Sequence, residues 1–239
     1  MTTRRRVWPV LVTSAVALII LLSLGVWQVN RLAWKEALIA RLDANAAGDP
    51  VTLGAAQERL AAGETVEFVK VRFDATYLPD KVMKLIGSVD GGPGWTIVSP
   101  AVTPDGLAVM VDRGLVPDNR LGDAQTPAVP LQLTGVVRLH DAGKGYFDPA
   151  NDPAGGTWYW WDVPAMYASA GFADGARPLP FVVQLLPEPG ASAYPRPPEP
   201  KAHLRNNHLG YAITWFGLAA VLVVMTGFYV RALMNKSTA

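Results

Sequence analysis

The sequence predicts an α+β membrane protein, a hairpin of two transmembrane helices with a β-rich soluble periplasmic domain between them. Two uncharged spans and a change of periodicity between them carry this reading. No charged residue occurs from Val7 to Val29 or from Leu209 to Val230, and roughly 20 apolar residues suffice for a helix to cross about 30 Å of hydrocarbon. All 20 Asp and Glu lie between the spans with sixteen of the 21 Lys and Arg, a central balance of −4, while five cations flank the outer ends. The overall charge of +1 gives no reason to expect a nucleic-acid surface.

The elements follow in order. Residues 1–6 form a cytoplasmic N-terminus and 7–29 the first transmembrane helix. Arg4–Arg6 before an apolar run resembles a signal peptide, but the run is long and lacks a small-residue cleavage site, so the helix is retained. The same basic cluster places the N-terminus in the cytoplasm. Residues 30–208 are the periplasmic domain, entered through a helical flank, QVNRLAWKEALIARLDANA, where Trp27 just before it and Trp34 within it suit the headgroup level. Gly48-Asp49-Pro50 stops that flank, and a short helix runs from Leu53 to Ala62.

From Glu67 the apolar period shortens. Strands are predicted near Phe68–Phe73, at VMKLIGSV, GWTIVSPAV, LAVMVDRGLVP and VPLQLTGVVRLH, and at PFVVQLLPE. Gly, Pro, Asp and Asn separate them, as in an antiparallel sheet or barrel. TWYWWDVPAMYASAG starts as strand or turn and ends in a short helix from Val163 to Ala170, and a Pro-rich connector at 187–200 leads to the second transmembrane helix, 209–230. Residues 231–239 return to the cytoplasm.

Several chemistries are excluded. With no cysteine there is no disulfide, thiolate metal site or redox pair. GGPGW lacks the context of a phosphate loop and reads as a tight turn. Ser99, His140 and Asp141 do not specify a triad, and His140 reads as the end of a strand. The three histidines lack zinc-protease spacing. Asp112-Arg113-Gly114 caps or bends a strand, with Arg113 solvated at its end. In Trp158–Trp161, one or two rings enter the core and the others are available to lipid, a partner or a flat cofactor.

One helix face is more specific. At roughly 100° per residue, Ala212, Trp215, Ala219 and Thr226 fall within about 40° of the His208 direction. Gly210 and Gly217 share the opposite side, where another helix could approach closely. This divides the helix into a face for packing and a face for a ligand or partner. Neutral imidazole is a capable iron ligand, while hydrogen bonding at a helix end is its commoner use. Asn206 or Asn207 can cap the helix in either case, and His203 is the weaker ligand candidate.

LGVWQVNRLAWKEALI, then GGPGW with VSPAV, then VDRGLVP, then NNHLGYAITWFGLA occur in this order within the two-helix frame. Together they resemble bacterial members of the surfeit-locus cytochrome c oxidase assembly family over nearly the full length. The resemblance implies an assembly factor and not an enzyme, placed in the bacterial inner membrane and serving the catalytic subunit of heme–copper oxidase. It implies heme a as the group bound or positioned, and contact with a heme a synthesis enzyme as well as the bilayer. The histidine associated with heme in the family matches His208, with Tyr211 and Trp215 along its helix and Asn207 before it. Gly25, Trp27, Gln28 and Arg31 match the family's first-helix exit, and Arg113 and Gly114 match its RGW-P motif. This chain departs from that motif with Leu115 in place of tryptophan. The competing reading is a scaffold or chaperone for the oxidase subunit that uses no cofactor.

Overall fold

The computed structural model describes residues 3–126, 129–140, 143–188, 193–200 and 207–235. The chain separates into two compact units, residues 1–41 with 203–239, and Leu42–Ala202.

The first unit is a pair of helices, α1 (Thr3–Ala47) and α4 (His208–Asn235), both long and apolar enough to cross a membrane. The predicted helical flank is a continuation of α1, which runs unbroken past residue 30 and ends where Gly48 donates to the Ala44 carbonyl at 3.1 Å. The least exposed positions on α1 recur at 7, 10, 14, 17–18, 21, 24–25 and 28. On α4 they recur at 208, 212, 215, 219, 222 and 226. This is a 3.5-residue period, the mark of a left-handed antiparallel seam. Small residues let the backbones approach: Ala212 and Ala219 are buried in the seam, and a Cβ on Gly25 would lie 2.7 Å from the Phe216 ring. The remaining faces expose Ile, Leu, Val and Phe, as lipid requires.

The second unit is built from β1 (Lys70–Tyr77), β2 (Met83–Val89), β3 (Gly92–Val102), β4 (Leu107–Pro117), β5 (Leu131–Arg138), β6 (Thr157–Trp158) and β7 (Arg177–Leu185). It also contains α2 (Leu53–Ala61) and α3 (Val163–Ala170). Each predicted strand forms within a few residues of its expected place. The sheet runs β1-β5-β7-β4-β3-β2-β6, and β1 also pairs with β3 at Thr76–Val102 and Tyr77–Ala101. That extra pairing closes a five-stranded ring, β1-β5-β7-β4-β3, which removes the free edges of those strands. All pairings are antiparallel except β4 with β7 and β2 with β6.

Alternating side chains divide between two cores. Val71, Phe73, Ala75, Val109, Val111, Phe181 and Val183 fill the ring, and α2 adds Leu53 and Ala56. Thr52 caps α2 by accepting from the Ala55 N–H at 3.2 Å. The other face carries Met83, Leu85, Val98, Met110 and Val182, covered by α3 through Met166 and Ala170. The β4–β7 ladder shifts register between Ala108 and Met110. There the Tyr167 hydroxyl donates to the Ala108 carbonyl and accepts from the Met110 N–H, each at 3.2 Å. A side chain thus satisfies backbone groups that the ladder leaves open.

The aromatic cluster belongs to this second core. Trp158 is fully buried, and Tyr159, Trp160 and Trp161 are all half-buried. Trp161 stacks on His140 at 3.8 Å between ring centroids. Trp158 and Trp161 pack with α3 in this core, as expected of one or two of the rings, while Tyr159 and Trp160 keep part of their surface exposed. Burial, with the Arg138 charge nearby, pushes the His140 imidazole down to about 4. The turn expected at GGPGW is made by Asp90 and Gly91, with φ of 51° and 81°, while Gly92 to Trp95 already belong to β3.

Candidate functional site

His208 stands at the first position of α4, where the Asn207 carbonyl accepts from the Tyr211 N–H at 3.3 Å. Its Nδ1 lies 2.7 Å from Oε1 of Gln28, which is buried in the helix seam. With the amide oxygen as acceptor, Nδ1 carries the proton and Nε2 keeps its lone pair. Among the described residues Nε2 has no hydrogen-bond partner. The Trp27 ring meets the imidazole edge-on at 6.5 Å. Two turns along the same face, the indole N–H of Trp215 is buried and unpaired. One imidazole nitrogen held by an amide, the other free, and aromatic walls nearby are features that suit an iron–porphyrin.

This arrangement corrects the expected division of α4. The face carrying His208, Ala212, Ala219 and Thr226 packs on α1, and the Gly210–Gly217 face is open, with nothing near either glycine's would-be Cβ. The reason lies in α1. Its seam offers a polar group where each polar residue of α4 arrives, Gln28 for His208 and Ser14 for Thr226 at 3.0 Å between hydroxyl oxygens. Ser14 was not anticipated. Its spacing of eleven and fourteen residues from Gly25 and Gln28 places it on the seam and is the signal that could have found it.

The remaining candidates divide. Gly25, Gln28, Trp27, His208 and Trp215 come together on the helix pair. Tyr211 is exposed to one side of the seam, and Asn207 is exposed before the helix. Arg31 stacks on Trp34 at 4.0 Å, one turn further along α1. His203 and Asn206 lie outside the described residues, as does Asp141. Ser99 meets Arg113 and His140 meets Trp161, so no hydrogen bond joins the serine to the histidine.

Arg113 and Gly114 form a separate centre inside the barrel unit. Ile97 pairs with Gly114 and Val98 with Asp112, so Arg113 is the extra residue of a β-bulge. The bulge turns its side chain inward, correcting the expectation of a solvated strand end. Nη1 donates to the Ala124 carbonyl at 2.6 Å and Nη2 to the Gln125 carbonyl at 3.0 Å. These carbonyls close the 3-10 helix Asp118–Ala124, whose other end is tied by Trp95 Nε1 donating to Asp118 at 2.6 Å. Burial lowers the Arg113 pKa and raises that of Tyr77, whose ring lies beneath the guanidinium, to about 12.

Gly114 has φ of 106°, and a Cβ there would fall 2.4 Å from the Arg196 carbonyl. Only glycine admits that approach. Leu115 and Arg196 exchange two backbone hydrogen bonds of 2.9 Å, so the Pro-rich connector straps onto β4. Gln184 donates to Pro198 at 3.1 Å and Arg196 pairs with Asp90 at 2.9 Å. Asp112, buried, accepts the Gly114 N–H at 2.9 Å, and burial pushes its carboxyl up to about 6. A cleft of about 240 Å³ lies beside the strap, lined by Tyr77, Arg113, Leu133, Leu185, Glu188 and Pro197.

Comparison with known proteins gives one family. Residues 15–220 match the model of the SURF1 family. A SURF1-like protein of Rickettsia bellii is 30% identical over 237 residues, covering 94% of this chain and 92% of that protein. A SURF1-like protein of Monosiga brevicollis is 30% identical over 92% of this chain and 87% of its own length. Surfeit locus protein 1 of Xenopus tropicalis is 30% identical over 83% of this chain and 68% of its own length.

Proposed function

This chain belongs to the SURF1 family, and on that premise we propose that it is an assembly factor for heme–copper cytochrome c oxidase. It holds or positions heme a on its helix pair for transfer to the catalytic subunit. In this reading it lies in a bacterial inner membrane with the barrel unit in the periplasm, and it receives its cargo from a heme a synthesis enzyme. The arginine cluster Arg4–Arg6 supports that orientation.

The observation that carries the reading is the Gln28–His208 hydrogen bond. A lone histidine at a membrane surface rotates and titrates, and it offers either nitrogen. Pinned through Nδ1, this imidazole keeps its basic Nε2 in one orientation. Heme a supplies an iron that accepts such a nitrogen and a large apolar ring that favours leaving water. Gln28 orients the imidazole, Trp27 flanks it, and the helix pair supplies an apolar wall. Because the histidine is anchored by one neutral hydrogen bond, the grip suits cargo that must leave again.

The test is heme content. Protein purified from cells that make heme a carries a Soret band, and His208→Ala reduces it severalfold while the barrel melts normally. Unchanged heme content and spectrum in that variant would remove His208 as the ligand.

A second reading has its own observation, since the same hydrogen bond gives His208 a structural use between two helices. A scaffold that stabilises the oxidase subunit without cofactor would copurify with that subunit free of stoichiometric heme. His208→Ala would leave the association intact.

A further inference from the structure

Tyr146 and Phe147 are the most exposed large hydrophobic side chains among the described residues, at 94% and 92%. They are more open than Trp8 and Phe228 on the lipid-facing helices, at 69% and 70%. They sit on the long connection between β5 and β6, at the centre of a β-turn. Asp148 donates its N–H to the Gly145 carbonyl at 3.2 Å, and its carboxylate accepts the Gly145 N–H at 2.7 Å. The two rings stand edge to face, 5.0 Å apart.

The chain after the turn is anchored as well. Asn151 accepts from the Tyr159 N–H at 2.8 Å and donates to the Trp160 carbonyl at 3.3 Å. Asp152 and Thr157 exchange backbone hydrogen bonds of 2.8 and 3.0 Å. The rings are therefore held in water by a hydrogen-bonded turn whose C-terminal side is tied to the domain. Turn centres favour Asn, Asp, Gly and Pro, and withdrawing a Phe-sized side chain from water is favourable. Two adjacent aromatics at this place oppose both preferences, so local folding does not account for them.

We infer that the Tyr146–Phe147 turn is a membrane-docking finger that inserts its two rings among lipid headgroups. Three observations choose lipid over a protein surface. The chain carries membrane-length helices on both sides of this domain, so the turn is covalently confined near a bilayer. Residues 143–150 around the rings are exposed apart from half-buried Asp148, whereas an aromatic anchor for a protein partner is ringed by packed residues that exclude water. An amphipathic ring beside a cation is the pattern of a headgroup belt; Tyr146 supplies that ring, Phe147 adds an apolar one, and Lys144 supplies the cation. The inference does not depend on heme binding.

The absence of cysteine makes the test direct, since one introduced thiol is labelled alone. A spin label is placed at Ala150→Cys, beside the intact rings, and in a second protein at Asp174→Cys, on the exposed turn between α3 and β7. Both full-length proteins are reconstituted in nanodiscs of phosphatidylcholine and phosphatidylglycerol. The ratio of accessibility to oxygen over a nickel chelate is expected to be severalfold higher at 150 than at 174. Adding Tyr146→Ser with Phe147→Ser is expected to lower the ratio at 150 to that at 174, with an unchanged melting temperature. Equal ratios at the two positions, or a high ratio at 150 that survives loss of both rings, would overturn the inference. Shielding at 150 that arises only when the oxidase catalytic subunit is added would do the same, and would assign the finger to a protein partner.

Discussion

The Arg113–Gly114 bulge and the Gln28–His208 contact are both sequence motifs that fold into polar centres, and they differ in what they leave over. In the barrel the hydrogen bonds of this centre end within the domain: guanidinium on two carbonyls, carboxylate on a backbone N–H, glycine against the strap. At the Gln28–His208 contact one bond is made and one imidazole nitrogen is left without a partner among the described residues. Buried polar groups in a folded domain are costly unless matched, so the first centre serves the stability of the barrel unit. The second keeps an imidazole nitrogen that its own hydrogen bond does not use. Motif resemblance alone makes the two look equivalent, and their hydrogen bonding separates them.

Substitutions test this contrast, beginning with the largest effect. Gly114→Val places a Cβ against the Arg196 backbone in a conformation that β-branched residues avoid. It should cost about 3 kcal/mol or more, seen as loss of the cooperative barrel melt in detergent. Next, Arg113→Met leaves the Ala124 and Gln125 carbonyls without their donor, worth about 2 kcal/mol, with heme content per folded protein unchanged. If Arg113→Met melted like the wild type and yet failed to associate with the oxidase subunit, the contrast would break, and Arg113 would be a partner contact.

A third prediction concerns pH. The folded Asp112 carboxyl, at about 6, is raised above its ordinary value of 3.8 by burial. The folded state therefore holds this proton more tightly than the unfolded chain, and the Asp112 contribution to stability declines as pH rises from about 4 to about 6. His140, lowered to about 4 by burial, works oppositely, with stability lost as pH falls from its ordinary 6.5 toward that value. Asp112→Asn keeps an acceptor for the Gly114 N–H, so the wild-type-minus-variant difference isolates the carboxyl. It should fall across pH 4–6 and stay flat above. A flat difference throughout would show that Asp112 keeps its charge at ordinary cost.

The smallest effect on stability belongs to Gln28→Leu, since a hydrogen bond between membrane helices contributes on the order of 1 kcal/mol or less. The barrel melt should not move, while the Soret band should weaken and broaden as the imidazole loses its fixed orientation. Gln28→Glu, which retains an acceptor, should restore much of it. Full retention of the band in Gln28→Leu would mean that the amide does not position the ligand.

The extent to which these centres could be read in advance follows from where their determinants lie. The β2–β5 strands and α3 were legible because alternation or apolar runs end at local punctuation such as Gly91, Pro117 and Gly171. β6 was left open between strand and turn, since Thr157–Trp158 becomes a strand by pairing with β2, more than seventy residues earlier. Arg113 was misread for a related reason. Its acceptors are carbonyls at 124 and 125, brought back by a 3-10 helix that carries no periodic signal. On α4 the polar face was found but assigned to the wrong surroundings. Angles along one helix show which residues share a side, and only the partner helix decides which side is covered. The matching 3.5-residue series on α1, including Ser14, Gly25 and Gln28, held that information.

The strap between Leu115 and Arg196 also sets an order of events during synthesis. β4 leaves the ribosome long before residue 196 does, and its parallel partner β7 is itself about seventy residues behind it. Until both arrive, an apolar strand and its bulge stay open, which is the slow, non-local kind of closure. The residues of the strap come shortly before α4 in the sequence. The domain therefore reaches its final form only as the helix bearing His208 is being made, so the histidine meets Gln28 last. A chain that stalls or is cut before the strap would expose β4 and lack the His208 helix in the same stroke.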